Sequence, residues 1–375
     1  MFCAYRRLVC ICVIFFLARF LLRSCNFATR DSAARHQRLA SATPAELGSS
    51  MYSEEMRATP PIEAHANFVP ALYLSTVNTM RRQEKYPIDG VPGWTLLNVG
   101  FQKGFEQLMD KPKLYMEWAH AEATKNPDAF AILADGADLL ASGCKKLELY
   151  KRYHDVVRAS GGARVLVGAE LCQWPFPVAD VSREMYNRLE DRRRAILASS
   201  NLPEDIYDAA ADGCGARRKA KGTWRRSGNF KVLIRFCTCA QPPRLQFLNS
   251  GFIMGPIKAV VNVLLCMLRE GETGSGVVDD QHALARCMLA HPEDVTLDYT
   301  GDVVLSLAGL NMTKVIEMRD GLLYNKVTGK VPCFVHGNGA GRPQLYNLSR
   351  ALRKRWAPSG RLMSGGLQDS WAQAQ

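Results

Sequence analysis

Ala129-Phe-Ala-Ile-Leu-Ala-Asp135-Gly-Ala-Asp138 is the stretch that decides the fold. A short apolar run lies between Pro127-Asp128 and Gly136, which is the pattern of a buried core strand. The run ends in two aspartates three positions apart, so one tight turn can aim both carboxylates at a single point. Charge at the carboxyl end of a core strand stands where open α/β sheets bind their ligands. Two close carboxylates repel unless a proton or a cation sits between them, and a hard divalent ion such as Mn²⁺ or Mg²⁺ suits oxygen donors. Taken alone, the stretch also reads as an Asp-Gly turn with solvated acids.

Working outward, strands and helices alternate, the pattern of an α/β fold with a mostly parallel central sheet. Asn67 to Thr76 reads as a strand ending in hydroxyls, and Trp94 to Val99 as a second. Helical spacing runs from Leu114 to Lys125. A helix near Lys145 to Ala159 stops at Gly161-Gly162, and Ala163 to Gly168 is a strand leading into Ala169-Glu170-Leu-Cys-Gln-Trp174-Pro. Leu248-Asn-Ser-Gly251 to Gly255 is a further strand. Pro256 opens the helix after it, and Gly271 ends that helix. Asp279-Asp280-Gln281 begins another, where acids suit the helix dipole. Val331 to Val335 is a strand that stops at His336, and a polar tail runs from about Leu345. Residues 177–243 read as an insertion, with Arg217 to Arg226 as a solvated basic loop.

The 375 residues carry a net charge of +12, which suits anionic partners, and 47% hydrophobic residues, enough for a core. Arg6 and Arg7 precede the apolar run Leu8 to Leu22, which reads as an uncleaved signal anchor in preference to a cleaved signal peptide or a buried N-terminal core helix. Positive charge before the span keeps the N-terminus cytosolic and sends the rest into the secretory lumen, the endoplasmic reticulum or Golgi. On this reading residues 1–25 are tail and anchor, 26–66 a stem, 67–345 the main domain and 346–375 the polar tail. Eight of the 12 cysteines lie beyond the anchor, and some should pair in an oxidising lumen. Asn311-Met-Thr and Asn347-Leu-Ser are glycosylation acceptor patterns.

In order, the motifs are a Ser-Thr strand end, a Lys-rich helix start, Asp-x-x-Asp, Ala-Glu-x-x-x-Trp-Pro, Leu-Asn-Ser-Gly, Asp-Asp-Gln and Val-His-Gly-Asn-Gly. This series resembles the glycosyltransferase domain of the procollagen lysyl hydroxylases and their relatives, over about residues 67 to 342. The resemblance implies a nucleotide-sugar-binding, Rossmann-like fold of the GT-A type. It implies a UDP-sugar donor, a hexose moved to a protein or glycan hydroxyl, and a Mn²⁺ or Mg²⁺ ion held by Asp135, Asp138 and His336. Thr76 falls where the family meets the uridine, and Lys113 and Arg342 where it carries basic residues near the diphosphate. Asn249, Gly337, Asn338 and Gly339 match donor-binding positions. Glu170, Trp174, Asp279 and Asp280 match the pocket for sugar and acceptor. Relatives often place an aromatic residue before the second metal acid, where this chain has Ala137.

Two other readings share the fold. A glucosyltransferase for modified DNA bases would use the basic run, but the anchor removes the chain from DNA and makes nucleic acid an unlikely partner. A catalytically silent binding protein would not need Asp135, Asp138, Asp280 and His336 together.

Overall fold

The computed structural model describes residues 71–77, 96–101, 103–171, 173, 181, 186–211, 224–227, 230–233, 244–272 and 279–356. The expected anchor, the stem and Trp174 lie outside them. In chain order the elements are β1 (Leu72–Thr76), β2 (Leu96–Asn98), α1 (Asp110–Lys125), β3 (Phe130–Ala134), β4 (Leu139–Ala141), α2 (Lys146–Ala159), β5 (Val165–Glu170) and α3 (Glu190–Ser199). A hairpin of β6 (Trp224–Ser227) and β7 (Phe230–Leu233) follows. Then come β8 (Phe247–Pro256), α4 (Ile257–Glu272), α5 (Asp280–Ala290), β9 (Val295–Asp298) and β10 (Val304–Ser306). The chain closes with α6 (Met312–Val315), β11 (Ile316–Arg319), β12 (Leu322–Asn325), β13 (Phe334–His336) and α7 (Arg342–Trp356).

Among the described residues the main sheet runs β2-β1-β3-β8-β5-β10-β13-β4, with β9 also paired to β5. It is mostly parallel. β8 is antiparallel to both its neighbours, and β4 is antiparallel to β13. All five residues of β3 are buried, as an apolar run without alternation requires. α4 packs between α1 and α5, and α4 and α5 pack against the sheet. α4 turns Val260, Leu264 and Met267 inward at helical spacing.

One connection fixes the shape. β3 and β4 stand five places apart in the sheet, yet only residues 135–138 join them. Five strand spacings amount to about 24 Å in a flat sheet. The five backbone steps from Ala134 to Leu139 reach at most about 18 Å. The sheet must therefore curl, bringing its β4 edge back toward β3. A common site for Asp135, Asp138 and His336 requires the strands ending at Ala134 and Val335 to lie close together. They are not sheet neighbours; the curl, with β4 lying along β13, brings their ends together.

Several expected boundaries shift. α1 begins at Asp110, where the Asp110 carboxylate accepts from the backbone N–H groups of Glu106 and Gln107 at 2.8 and 2.9 Å. α4 runs one residue past Gly271. The expected polar tail begins instead as α7, with Leu345 and Leu352 fully buried. Residues 224–226 of the expected basic loop are paired with β7. Within the insertion, α3 is anchored by Arg193, 2% exposed, which meets Glu190 at 2.7 Å and donates to the Glu204 carbonyl at 3.0 Å. Among the described residues, disulfides join Cys144 to Cys333 and Cys266 to Cys287.

Candidate functional site

The site forms at the end of β3. Asp138 N–H donates to the Asp135 carbonyl at 2.8 Å and closes the turn, while Asp135 N–H donates to the Gly251 carbonyl on β8 at 3.0 Å. Gly136 N–H donates to Thr76 Oγ1 at 2.9 Å, so the β1 hydroxyl holds the turn. A Cβ on Gly136 would sit 2.9 Å from that oxygen, which excludes a side chain there.

α1 brings the cation. Lys111 Nζ lies 2.8 Å from Asp135 Oδ1 and 2.8 Å from Asp280 Oδ2, with the Ser250 carbonyl at 3.4 Å. Tyr115, one turn on, is buried and donates to the Ala134 carbonyl at 2.9 Å. Lys113, the expected diphosphate lysine, is not in the site. It is half exposed and stands 3.5 Å from Asp110. The reason is the helix period. Residues 111 and 115 share a face, whereas 113 is turned roughly 200° from 111. Lys111 is thus the residue that sequence reasoning missed, although its spacing from an inward tyrosine could have shown it.

β4 and β13 bring the histidine. His336 pairs with Leu139, and Gly337 N–H donates to the Asp138 carbonyl at 2.8 Å. His336 is 1% exposed, and neither ring nitrogen has a hydrogen-bond partner among the described residues. Burial pushes its pKa down to about 4, with Asp135 opposing that shift. The imidazole is therefore neutral at pH 7 and free to donate a lone pair. Asp138 is buried, with Oδ2 held by Arg342 and Oδ1 without a partner. Desolvation raises its carboxyl and Arg342 opposes the rise. Asp135 keeps 39% of its side chain exposed. The protein around it works against its charge, yet Lys111 foremost holds its carboxyl below the usual range.

Buried, unpartnered donor atoms on His336 and Asp138, beside the Asp135 carboxylate, suit a hard divalent ion. The three are not drawn into one tight cluster. Among the described residues, the one trio with ligand atoms within 4.8 Å of one another is His291, Glu293 and Asp294. That trio is surface-exposed or nearly so, and Arg164 lies 3.4 Å from Asp294. Asp135 and Asp138 instead each take a basic partner, Lys111 and Arg342, as close like charges must.

Glu170, 3% exposed, ends β5 inside a set of amides. Asn249 Nδ2 donates to it at 3.2 Å and Gln281 Nε2 at 2.8 Å, and the Asn338 side-chain amide donates as well. Asn338 Oδ1 in turn accepts from Ala308 N–H at 3.0 Å. Asp279 is the N-cap of α5: its side chain accepts from His282 N–H at 2.7 Å. Of the two acids, Asp280 is the one that reaches Lys111. Gly337 and Gly339 differ. A Cβ on Gly337 would meet Leu345 at 2.6 Å, so packing against α7 requires that glycine, whereas Gly339 has φ +52° and open space beside it. No helix of the described residues is long and apolar enough to cross a membrane.

The curled, mostly parallel α/β sheet thus gathers acids and a histidine at its strand ends, with a lysine brought to them by α1. The family model described as the PLOD GT domain matches residues 240–361, which span β8 to α7. Over that stretch the chain is similar to the PLOD glycosyltransferase domains. Among solved structures, one match is a glycosyltransferase involved in the glycosylation of the major capsid of PBCV-1. It is 9% identical, covers 76% of this chain and 99% of its own, and has a TM-score of 0.37. No curated protein matches the chain.

Proposed function

We propose that the chain is a metal-dependent glycosyltransferase of the secretory pathway. It would move a hexose, glucose or galactose, from a UDP-sugar to a hydroxyl of a protein or glycan. The observation that carries this reading is the meeting of Asp135, Asp138, Asp280, Lys111, Arg342 and His336, with Glu170 tied to them through Asn249 and Gln281, in a chain whose residues 240–361 are similar to the PLOD GT domain. Four carboxyl groups against two cationic side chains and a neutral imidazole leave an excess of negative charge, which favours a bound divalent cation.

Asp135, Asp138 and His336 would hold Mn²⁺ or Mg²⁺, which when bound acts as a Lewis acid on the departing diphosphate. Lys111 and Arg342 each already hold a carboxylate and would turn part of their hydrogen bonding to phosphate oxygens. As the bond to the sugar breaks, charge on the diphosphate grows and these contacts strengthen, which is where catalysis gains. Glu170, fixed by amides, presents a steady negative charge toward an oxocarbenium-like sugar centre. Asp280, at the N-terminus of α5, would accept the proton of the incoming hydroxyl.

The test is a panel of UDP-sugars given to the purified domain with and without Mn²⁺, scored for UDP release, then acceptors for the best donor. Metal-dependent release from UDP-glucose or UDP-galactose is expected. Absence of release from every UDP-sugar would sink the reading.

A further inference from the structure

β8 leaves its ladder with β5 at one place. Gly168 pairs with Asn249, but the preceding residue Val167 pairs with Ile253, so residues 250–252 have no partner on β5, although Phe252 stays paired with Ala134 of β3. Backbone groups freed at a bulge must find other partners, and here they find site residues. Ser250 N–H donates to Gln281 Oε1 at 3.2 Å, and Gly251 N–H to Asn249 Oδ1 at 3.0 Å. The Gly251 carbonyl accepts from Asp135 N–H, and the Ser250 carbonyl faces Lys111. Gly251 also abuts the His336 ring, for a Cβ there would lie 2.2 Å from Cε1. The bulge is therefore the common support of Asp135, Lys111 and His336.

Gln281 ties this support to Glu170. Its Nε2 donates to Glu170 Oε1 at 2.8 Å and to the Leu248 carbonyl at 2.8 Å, while its Oε1 accepts from Ser250. A primary amide is the group that can do both, with two donors for a carboxylate and a carbonyl and an acceptor for an N–H. A glutamate in its place would turn a second carboxylate on Glu170, and an asparagine is one methylene short. Gln281 is 6% exposed and rides on the rigid start of α5, beside the Asp280 that holds Lys111.

We infer that Gln281 is a positioning residue, locking the Glu170 carboxylate to the β8 bulge and so fixing the sugar-facing acid relative to the diphosphate-facing groups. The inference rests on the glycosyltransferase reading above. It is tested with Gln281→Met, which keeps the volume and deletes the amide, in a cycle with Glu170→Gln in the otherwise intact chain. Gln281→Met should lower kcat by about a hundredfold, the scale of a misplaced group, with KM for the UDP-sugar little changed. Because Gln281 acts through Glu170, the double variant should be no slower than Glu170→Gln alone. Losses that multiply, or a rise in KM with kcat intact, would overturn the inference. If Gln281→Met does not fold, Gln281→Asn, which keeps the amide but falls one methylene short of Glu170, takes its place. It too should lower kcat with KM little changed and add no loss to Glu170→Gln; an unchanged kcat would overturn the inference equally. An unaltered protein that turns over no UDP-sugar removes the glycosyltransferase reading first and this inference with it.

Discussion

Lys111 stands between two carboxylates that would otherwise repel, with only 12% of its side chain exposed. Lys111→Met should therefore lower the melting temperature in metal-free buffer, and added Mn²⁺ should restore part of it by supplying the missing positive charge. Transfer should fall about a hundredfold or more, the scale for removing one charge-stabilising donor. Lys113→Met, on the outer face, should stay near the wild-type rate. Equal losses in the two variants would contradict this assignment. The histidine makes a pH prediction. His336 takes up its proton near pH 4 in the folded state, against about 6.5 when unfolded. Between those values the unfolded chain binds the proton and the folded chain refuses it, so stability falls as pH drops through that window. The unfolding free energy of the metal-free protein minus that of His336→Gln should decrease from pH 6.5 to 4. A flat difference would show that His336 titrates normally. Asp135, Asp138 and His336 were legible as residues from the sequence because short motifs carry them. Lys111 was not, because two lysines two positions apart differ only in which face of α1 they take.

At the scale of elements, β4 and β13 share only three residue pairs, yet they set Asp138 beside His336. The Cys144–Cys333 disulfide closes the far end of this ladder, and Ser142 N–H donates to the Cys333 carbonyl at 3.1 Å. The bond spans 189 residues of chain, against 21 for Cys266–Cys287. Loop-closure entropy then favours the longer link, within a range of about 2–5 kcal/mol for removing a native disulfide. Cys144→Ser with Cys333→Ser should lower the melting temperature more than Cys266→Ser with Cys287→Ser. It should also weaken Mn²⁺-dependent UDP binding, which calorimetry can measure, because the ladder it secures carries two of the proposed ligands. A larger loss from the α4–α5 pair would reverse the ranking. Cysteine count and compartment foretold that some cysteines would pair, but not which. Connectivity depends on strands meeting across the sheet, which local spacing does not encode. The bulge in β8 was hidden for a similar reason. Leu248-Asn-Ser-Gly251 stands out as a motif, but only the β5 partner shows that three residues step out of register.

At the largest scale, the main sheet is shaped by a curl that no single segment displays. Apolar runs and turn residues made the α/β class readable, while the strand order, and the curl it forces through the short link between β3 and β4, lies in pairings that no local segment encodes. Location is the property of the intact chain that the proposed function most depends on. On the proposed reading, Arg6 and Arg7 before Leu8 to Leu22 would hold the N-terminus in the cytosol and put the body in the lumen. The paired cysteines agree with an oxidising compartment, since thiols in the cytosol are kept reduced. The expectation is a type II protein whose domain is shielded inside sealed microsomes. Protease added without detergent should spare the chain after residue 67, and detergent should expose it. In the same vesicles, alkylation before reduction should leave Cys144, Cys333, Cys266 and Cys287 unlabelled, and reduction should make all four reactive. Digestion without detergent, or labelling of those cysteines before reduction, would place the domain on the cytosolic side. A UDP-sugar transferase there would need a cytosolic acceptor, so the same result would also remove secretory proteins and glycans from its candidate substrates.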